Sequence, residues 1–163
     1  SEAVCQIWFW RAVNLVTVST GMFDMALEGV SGFDGLRHGE DELLASKTHD
    51  PYWNAVMTQI RLTGFAPNHL RMYWGKKILE WSPSAPKAYR ILLSLNNRCF
   101  LDGRDPNSYA GVGWIFGLHD RPFAERPVYG TVRSMTAAGL RRKGDIDAYA
   151  ARVKSLAESA QRP

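Results

Sequence analysis

The polar segment 101–107 (LDGRDPN), which connects two predicted helices, is the densest group of side chains that could hold a ligand. Turn chemistry alone explains it equally well, with Asp105 capping the next helix, Gly103 forming a turn and Asp102 in solvent. The functional alternative is that Asp102 pairs with Arg71 of an earlier helix. Such a charge-assisted bond would hold a carboxylate against a ring N–H of a ligand. The residues leave both interpretations open.

Two tryptophans stand seven positions apart in segment 68–81 (NHLRMYWGKKILEW), at Trp74 and Trp81. In a helix this spacing puts both indoles on nearly one face, about 10 Å apart along the axis. An aromatic stripe at helical spacing usually packs against a neighbouring helix. Spacing alone therefore favours core packing, and Asn68 can cap this helix.

Common catalytic and metal-binding motifs are absent from the sequence. The four histidines show no HExxH pattern, no i and i+4 pair and no cluster with cysteine, so we predict no metal site. Cys5 and Cys99 form no CxxC pattern, and reduced thiols in a cytosolic protein explain them most simply. The absence of GxSxG, Walker and dinucleotide-binding glycine patterns argues against the usual hydrolases, nucleotidases and nicotinamide-dependent enzymes.

The composition is that of a soluble globular protein. The 163 residues form one domain or a piece of a larger one, and 45% are hydrophobic and 22% charged. The net charge of +4 permits an anionic partner, although a solvated, slightly basic surface explains it as well. No apolar run reaches the ~18 residues of a membrane span, so we predict no membrane association. The abrupt apolar start suggests that other sequence normally precedes it.

Capping residues and hydrophobic periodicity predict an all-helical bundle. Asp-Pro pairs at positions 50 and 105 mark two helix starts, and Gly64 ends the first of these helices. Ser84 and Asp145 can cap two others, the last running through Leu156. No hairpin signal is present.

Three further segments complete the prediction. Residues 40–47 read as a short amphipathic helix, and residues 131–139 as another helix. The apolar residues 3–18 fit a buried helix or a buried strand, and the glycine-rich residues 19–40 read as an irregular loop.

A series of sequence blocks follows this helical pattern from residue 49 onward. The blocks are HDPYWNA from position 49, LRMYWGKKILEW from 70, LNN from 95, LDGRDPNSY from 101 and GLHDRPFAERP from 117. In wording, order and interval they resemble the C-terminal flavin-binding domain of class II cyclobutane pyrimidine dimer photolyases. The best match covers residues 40–153. The resemblance implies a helical fold that forms part of an FAD-binding domain, in a lyase that repairs DNA.

In that family, light drives an electron from reduced flavin to a thymine dimer flipped out of duplex DNA. The resemblance implies that Asn96 faces N5 of the flavin, and that Arg71 and Asp102 form an ion pair beside the isoalloxazine ring. Asp105 is a further candidate cofactor ligand. Because indoles can be oxidised transiently, the resemblance also implies an electron relay to the surface; its members are Trp74 nearest the ring, Trp53 and Trp81.

The same resemblance implies a binding site for damaged DNA. Trp10 and Trp114 match the two tryptophans that embrace the flipped dimer, and stacking on them would favour extrusion of the poorly stacked lesion. Gln6 stands where the family has a dimer-contacting Glu. Arg121 would hold phosphate, together with further basic candidates at Arg126, Arg133 and residues 141–143. A solvated loop explains residues 141–143 equally well.

The chain departs from the family pattern at several points. Gln6 can form hydrogen bonds but cannot be an anion. After Trp10 and Arg11 two family residues are missing, which would rotate a helix beyond them by about 200°. The N-terminal α/β antenna domain and the loop that clamps the FAD phosphates are also absent. We therefore expect weak FAD retention unless a missing N-terminal domain or a companion chain completes the pocket.

Three functions remain open at this point. The first is light-driven dimer repair, in the cytoplasm of a bacterial or archaeal type of cell and on the nucleoid when bound to DNA. The second is a cryptochrome-like flavin photosensor, which Gln6 slightly favours. The third is an inactive remnant that keeps a helical DNA-binding fold.

Overall fold

The computed structural model describes residues 38–117, 120–124, 126 and 129–160. Seven α-helices lie within these ranges. They are α1 (Glu40–Leu44), α2 (Pro51–Thr63), α3 (Asn68–Trp81), α4 (Ala85–Cys99), α5 (Pro106–Ile115), α6 (Ala137–Arg141) and α7 (Ile146–Ala160). The predicted all-α fold is confirmed for this part of the chain. The predictions for residues 3–18, and for nearly all of 19–40, lie outside it.

Helices α2, α4 and α7 begin where their capping residues predict. Asp50 Oδ1 accepts hydrogen bonds from the backbone N–H groups of Tyr52 and Trp53, at 3.0 Å each. Ser84 accepts from the N–H of the third residue of α4, and Asp145 accepts from that of Ala148 at 2.9 Å. Each cap satisfies donors that have no partner within the helix. At its far end, α7 runs four residues beyond the predicted stop.

One predicted cap is wrong, and at a second only the predicted position is confirmed. The residue at the N-cap of α3 is Pro67, whose carbonyl accepts from the N–H groups of Leu70 and Arg71, and Asn68 is already helical. Asp105 occupies the N-cap of α5 but its side chain makes no capping hydrogen bond. Its carboxylate lies at the exposed surface, while the carbonyl of the same residue starts the helix.

Two predicted helices are shorter than expected. Helix α1 ends at Leu44 because Ser46 adopts a left-handed backbone with φ of 58°. Helix α6 begins at Ala137, with Thr136 as its cap, and not at position 131. The backbone before residue 131 forms a turn, in which Arg126 and Gly130 make an isolated antiparallel bridge. The sequence carries no hairpin signal here, and within the described residues this bridge belongs to no strand.

Helix α3 lies at the centre of the described bundle. It packs against α2, α4 and α5, while α2 also packs along α7. The most deeply buried aromatic side chains come from α2 and α3, namely Trp53, Tyr73 and Trp74. Aromatic side chains bury large apolar areas, so this cluster dominates the core. The three predicted relay tryptophans therefore lie in the buried core of the bundle.

Candidate functional site

Arg71 is the centre of a polar network between α3, α4 and the loop before α5. Its Nη1 donates to both carboxylate oxygens of Asp102, at 2.8 and 3.1 Å. Its Nη2 donates to Asn96 Oδ1 at 2.8 Å and to Ser108 Oγ at 2.7 Å. The predicted Arg71–Asp102 pair is thus formed. Its charge-assisted bonds are the strong kind, and the arginine is only 16% exposed.

Asn96 lies inside this network, with no exposed surface. Its amide nitrogen donates to the carbonyl oxygen of Gly103 at 2.8 Å and is 2.9 Å from Ser108 Oγ. Gly103 packs so closely on α4 that an added Cβ would lie 2.3 Å from the Asn96 carbonyl oxygen. Asn96 therefore ties the polar loop to α4 and supports Arg71 from within.

Phe100 connects the polar network to the tryptophans. The guanidinium carbon of Arg71 lies 3.9 Å from the centre of its ring, a cation–π contact. Phe100 also contacts Trp74. Their ring centres are 5.5 Å apart and the ring planes are at 72°, an edge-on arrangement. The ring of Phe100 thus lies between Arg71 and the buried indoles.

The three predicted relay tryptophans form one continuous series. Trp74 and Trp53 are nearly parallel, with ring centres 6.5 Å apart and an angle of 12°. Trp53 then meets Trp81 edge-on at 5.5 Å and 62°. All three are at most 3% exposed. The order in space is Trp74, Trp53, Trp81, which alternates between α3 and α2.

The indole N–H groups of Trp53 and Trp74 donate hydrogen bonds to groups that are weak bases. Trp53 Nε1 donates to the backbone oxygen of Trp74 at 2.9 Å. Trp74 Nε1 donates to the thioether sulfur of Met57 at 3.2 Å. A carbonyl oxygen and a thioether accept hydrogen bonds but are poor proton acceptors. These contacts fix the orientation of both rings without offering either indole a base.

Two histidines cover Trp81 at the outer end of the series. The rings of His38 and His49 stack at 5.1 Å, and His38 Nε2 lies 2.8 Å from His49 Nδ1. Their ring centres lie 5.2 and 5.0 Å from that of Trp81. His49 is exposed, so this contact brings the series to the protein surface.

Trp114 lies apart from the series, near the C-terminus of α5, and is 54% exposed. Buried Lys76 of α3 supports that end of the helix, because its Nζ donates to the carbonyl of Ile115 at 2.5 Å. Cations near a helix C-terminus are favourable. Burial nevertheless lowers the pKa of Lys76 to about 8, with Asp120 opposing the shift and Arg133 adding to it.

The basic residues after α5 surround an aromatic side chain. The guanidinium carbons of Arg121 and Arg133 lie 5.7 and 5.9 Å from the ring centre of Phe123. Both arginines are exposed, as is Arg126. Tyr129 anchors this segment, with its hydroxyl donating to Glu80 of α3 at 2.7 Å. The exposed positive charges therefore belong to a segment that Tyr129 attaches to α3.

Other predicted residues fall outside these clusters. Gln6 and Trp10 lie in the part of the chain that the structure does not describe. The carboxylate of Asp105 is exposed and is not among the partners of Arg71. Arg141 donates to the hydroxyl of Tyr52 through both Nε and Nη2, so it joins α6 to α2. Arg142 and Lys143 are exposed.

Sequence reasoning missed several contributors to the site. Ser108 and Phe100 flank predicted residues in the chain, but neither carries a motif that signals its role. Met57, which accepts from Trp74 Nε1, carries no such motif either. The stacked histidines are 11 positions apart and join through the tertiary fold. Such contacts have no signature in a single sequence.

The donor set fits the polar edge of a flavin at one point. Asp102 is 48% exposed, so it can accept a bond from a ring N–H while Arg71 holds it. Asn96, by contrast, directs its amide into the protein, and its predicted position opposite flavin N5 stays a prediction. Arg71 and Asp102 are the residues that would hold an isoalloxazine ring.

The described part of the chain is an all-α structure in which three neighbouring indoles lead from an arginine–aspartate pair to the surface. Three relatives of the chain carry one name. The chain is 53% identical over 115 residues to a deoxyribodipyrimidine photo-lyase of Methanothermobacter thermautotrophicus. It is 47% identical over 118 residues to one of Oryza sativa and 45% over 114 to one of Potorous tridactylus. These are curated homologues of the chain.

The matches cover 71%, 72% and 69% of this chain, but 26%, 23% and 21% of the respective relatives. The chain thus spans about a quarter of the length of the curated relatives it matches. No family model matches it. Within the described residues, no helix is long and apolar enough to cross a membrane, and no group of three metal-binding side chains forms.

Proposed function

We propose that this chain is part of the C-terminal, FAD-binding domain of a class II photolyase, and that its function is light-driven splitting of cyclobutane pyrimidine dimers in DNA. The observation that carries the proposal is the series Trp74, Trp53 and Trp81, which begins beside the Arg71 network. The proposed reaction is taken from the name of the homologues, deoxyribodipyrimidine photo-lyase. When bound, FAD would absorb light and supply the transferred electron.

Arg71 and Asp102 would orient the flavin by its polar edge. Asn96 and Ser108 hold Arg71 from behind, so the pair is preorganised before a ligand arrives. The indoles would restore the reduced flavin after light absorption by passing electrons inward. Their burial excludes water from the path. The rest of the pocket would come from sequence outside this chain, in the same polypeptide or in a companion chain.

Trp114 and the basic surface would bind the damaged strand. An exposed indole offers a stacking face to an extruded base, and exposed arginines offer charge to phosphates. Trp10 and Gln6 would complete this site. Its proposed location is the cytoplasm of a bacterial or archaeal type of cell, at the nucleoid when the protein is bound to DNA.

The test is a visible absorption spectrum of the purified chain with added FAD, followed by illumination under a reductant. We expect a bound flavin that is photoreduced in the wild type and at least tenfold more slowly in Trp74→Phe. Trp114→Phe is the matched control, because this tryptophan lies outside the series, and it should photoreduce normally. Equal rates in all three proteins would contradict the proposed path.

A repair assay on an oligonucleotide that contains a dimer separates this function from a second candidate. Gln6 in place of the family Glu favours a cryptochrome-like photosensor, which would photoreduce its flavin without repairing DNA. Loss of dimers in the light, abolished in Trp114→Ala, supports the photolyase. Photoreduction without repair supports the photosensor, and absence of both supports a remnant.

A further inference from the structure

Tyr73 is a fully buried phenol whose hydroxyl donates a hydrogen bond to Asp50 Oδ2. The other oxygen of the same carboxylate caps α2 and accepts from the backbone N–H of Trp53 at 3.0 Å. Tyr73 also precedes Trp74 in α3. One carboxylate therefore joins a buried phenol to the middle of the tryptophan series.

From this geometry we infer that Tyr73 is a redox-active residue that reduces an oxidised tryptophan of the series while Asp50 takes its proton. The electron passes from the Tyr73 ring to the indole radical cation, which becomes a neutral tryptophan. At the same time the O–H bond of Tyr73 breaks, and its proton goes to Asp50 Oδ2. The products are a neutral tyrosyl radical and a protonated carboxyl group. Its role in the living cell rests on the proposed function.

The hydrogen-bond partners of two of the three indoles favour transfer of the oxidation from those indoles to Tyr73. Neither Trp53 nor Trp74 has a base at its indole N–H, as their contacts are a carbonyl and a thioether. Their radical cations cannot readily lose a proton and remain mobile. Tyr73 faces a carboxylate, so its oxidation can be completed by proton transfer over one hydrogen bond.

The surrounding charges favour a proton-coupled step. Lys77 Nζ lies 5.7 Å from the centre of the Tyr73 ring, so a cation on that ring would be repelled. Burial, and then the bond to Asp50, raise the pKa of Tyr73 well above its usual value, which keeps the phenol protonated until it is oxidised. The step also removes two opposite charges, on the indole and on Asp50, from a poorly solvated region.

Two other phenols in the described residues donate to carboxylates, and both are placed differently. Tyr129 donates to Glu80, whose charge is already neutralised by Lys77 at 2.6 Å. Tyr52 donates to Asp147 at 2.6 Å but also accepts from the guanidinium of Arg141. Among the described residues, no ion pair involves Asp50, so no neighbouring cation competes with the proton for its carboxylate.

The test generates the oxidant directly in the apoprotein. Light at the red edge of the indole absorption, where phenols do not absorb, ionises tryptophan, and a cobalt(III) ammine complex captures the ejected electron. A chain containing ring-deuterated tyrosine then identifies tyrosyl radicals by electron paramagnetic resonance. We expect a tyrosyl signal that falls at least fivefold in Tyr73→Phe. Transient absorption should show Asp50→Asn slowing tryptophan-to-tyrosine transfer by about a hundredfold.

Matched variants keep the test decisive. Asn caps helices as well as Asp does, so Asp50→Asn preserves the start of α2, which circular dichroism would check. Tyr129→Phe removes a phenol whose carboxylate is already paired, and Tyr149→Phe removes a buried phenol without a hydrogen-bond partner in the described structure. Both should keep the signal.

A tyrosyl signal of full size in Tyr73→Phe would overturn the inference, and so would its loss in Tyr129→Phe alone. Unchanged transfer in Asp50→Asn would exclude the carboxylate as the proton acceptor. Because light acts on the indoles, the result does not depend on FAD. A tyrosyl radical in a chain that never photoreduces flavin would leave this inference standing and overturn the proposed function alone.

Discussion

Trp53 and Trp74 are joined twice, once through their nearly parallel rings and once through the hydrogen bond from Trp53 Nε1 to the Trp74 backbone oxygen. The ring contact is the one that we propose carries electrons, and the hydrogen bond holds α2 on α3. A substitution of Trp53 would therefore alter both contacts at once.

We expect Trp53→Phe to lower the free energy of unfolding by about 1–3 kcal/mol, since it removes a buried hydrogen bond and leaves a small cavity. Urea denaturation would measure the loss. Trp114→Phe is the control, because the exposed Trp114 should change stability by less than about 0.5 kcal/mol. Equal effects in both variants would contradict the described packing of Trp53.

Gly103→Ala should displace the polar loop. The new Cβ would lie 2.3 Å from a backbone oxygen of α4, which cannot move aside cheaply. We expect a loss of about 1–3 kcal/mol in the free energy of unfolding. Gly111→Ala, in α5 with no atom within 4 Å of the new Cβ, should be neutral or stabilising by up to about 1 kcal/mol. Thermal unfolding of the two variants, side by side, makes the comparison.

Arg71→Lys should be costly although it keeps the charge. A lysine cannot serve Asp102, Asn96 and Ser108 together, because it lacks the planar fork of the guanidinium. We expect about 1–3 kcal/mol of destabilisation from the buried groups left without a donor. Arg104→Lys, at an exposed position of the same loop, should be silent. If both substitutions proved silent, the network would not exist in solution.

The stability of the chain should depend on pH through Lys76. Its pKa is about 8 in the folded chain and near 10.5 when unfolded, so burial of its charge opposes folding fully below pH 8. As pH rises from 8 towards 10.5 the folded chain loses this proton first, and the contribution of Lys76 to the free energy of unfolding rises.

Lys76→Met should abolish this rise between about pH 7 and about pH 9.5, measured by urea denaturation. Lys154→Met, on the exposed face of α7, should retain it. A rise that is the same in Lys76→Met as in the wild type would show that another group is responsible.

The sequence predicted elements better than the contacts between them. Asp50, Ser84 and Asp145 cap helices as expected because their signals are local. The turn at Arg126 and Gly130 was missed because its two backbone bonds require no special residue pattern.

The site divides in the same way. The pairing of Arg71 with Asp102 could be proposed from charge and position. The supporting contacts of Ser108 and Phe100 could not, since they depend on how α3, α4 and α5 cross. For Asn96, the family resemblance implied a place at the site, but only the packed structure gives the direction of its amide.

The burial of helix α3 limits where a probe can be attached to this protein. From Leu70 to Trp81 none of its residues is exposed, since α2, α4, α5 and the segment around Tyr129 cover it in turn. A fluorophore or spin probe attached there would have to displace a neighbour. The outer face of α7, which includes Ala151, Lys154 and Ser155, would accept one and report on the bundle without disturbing it.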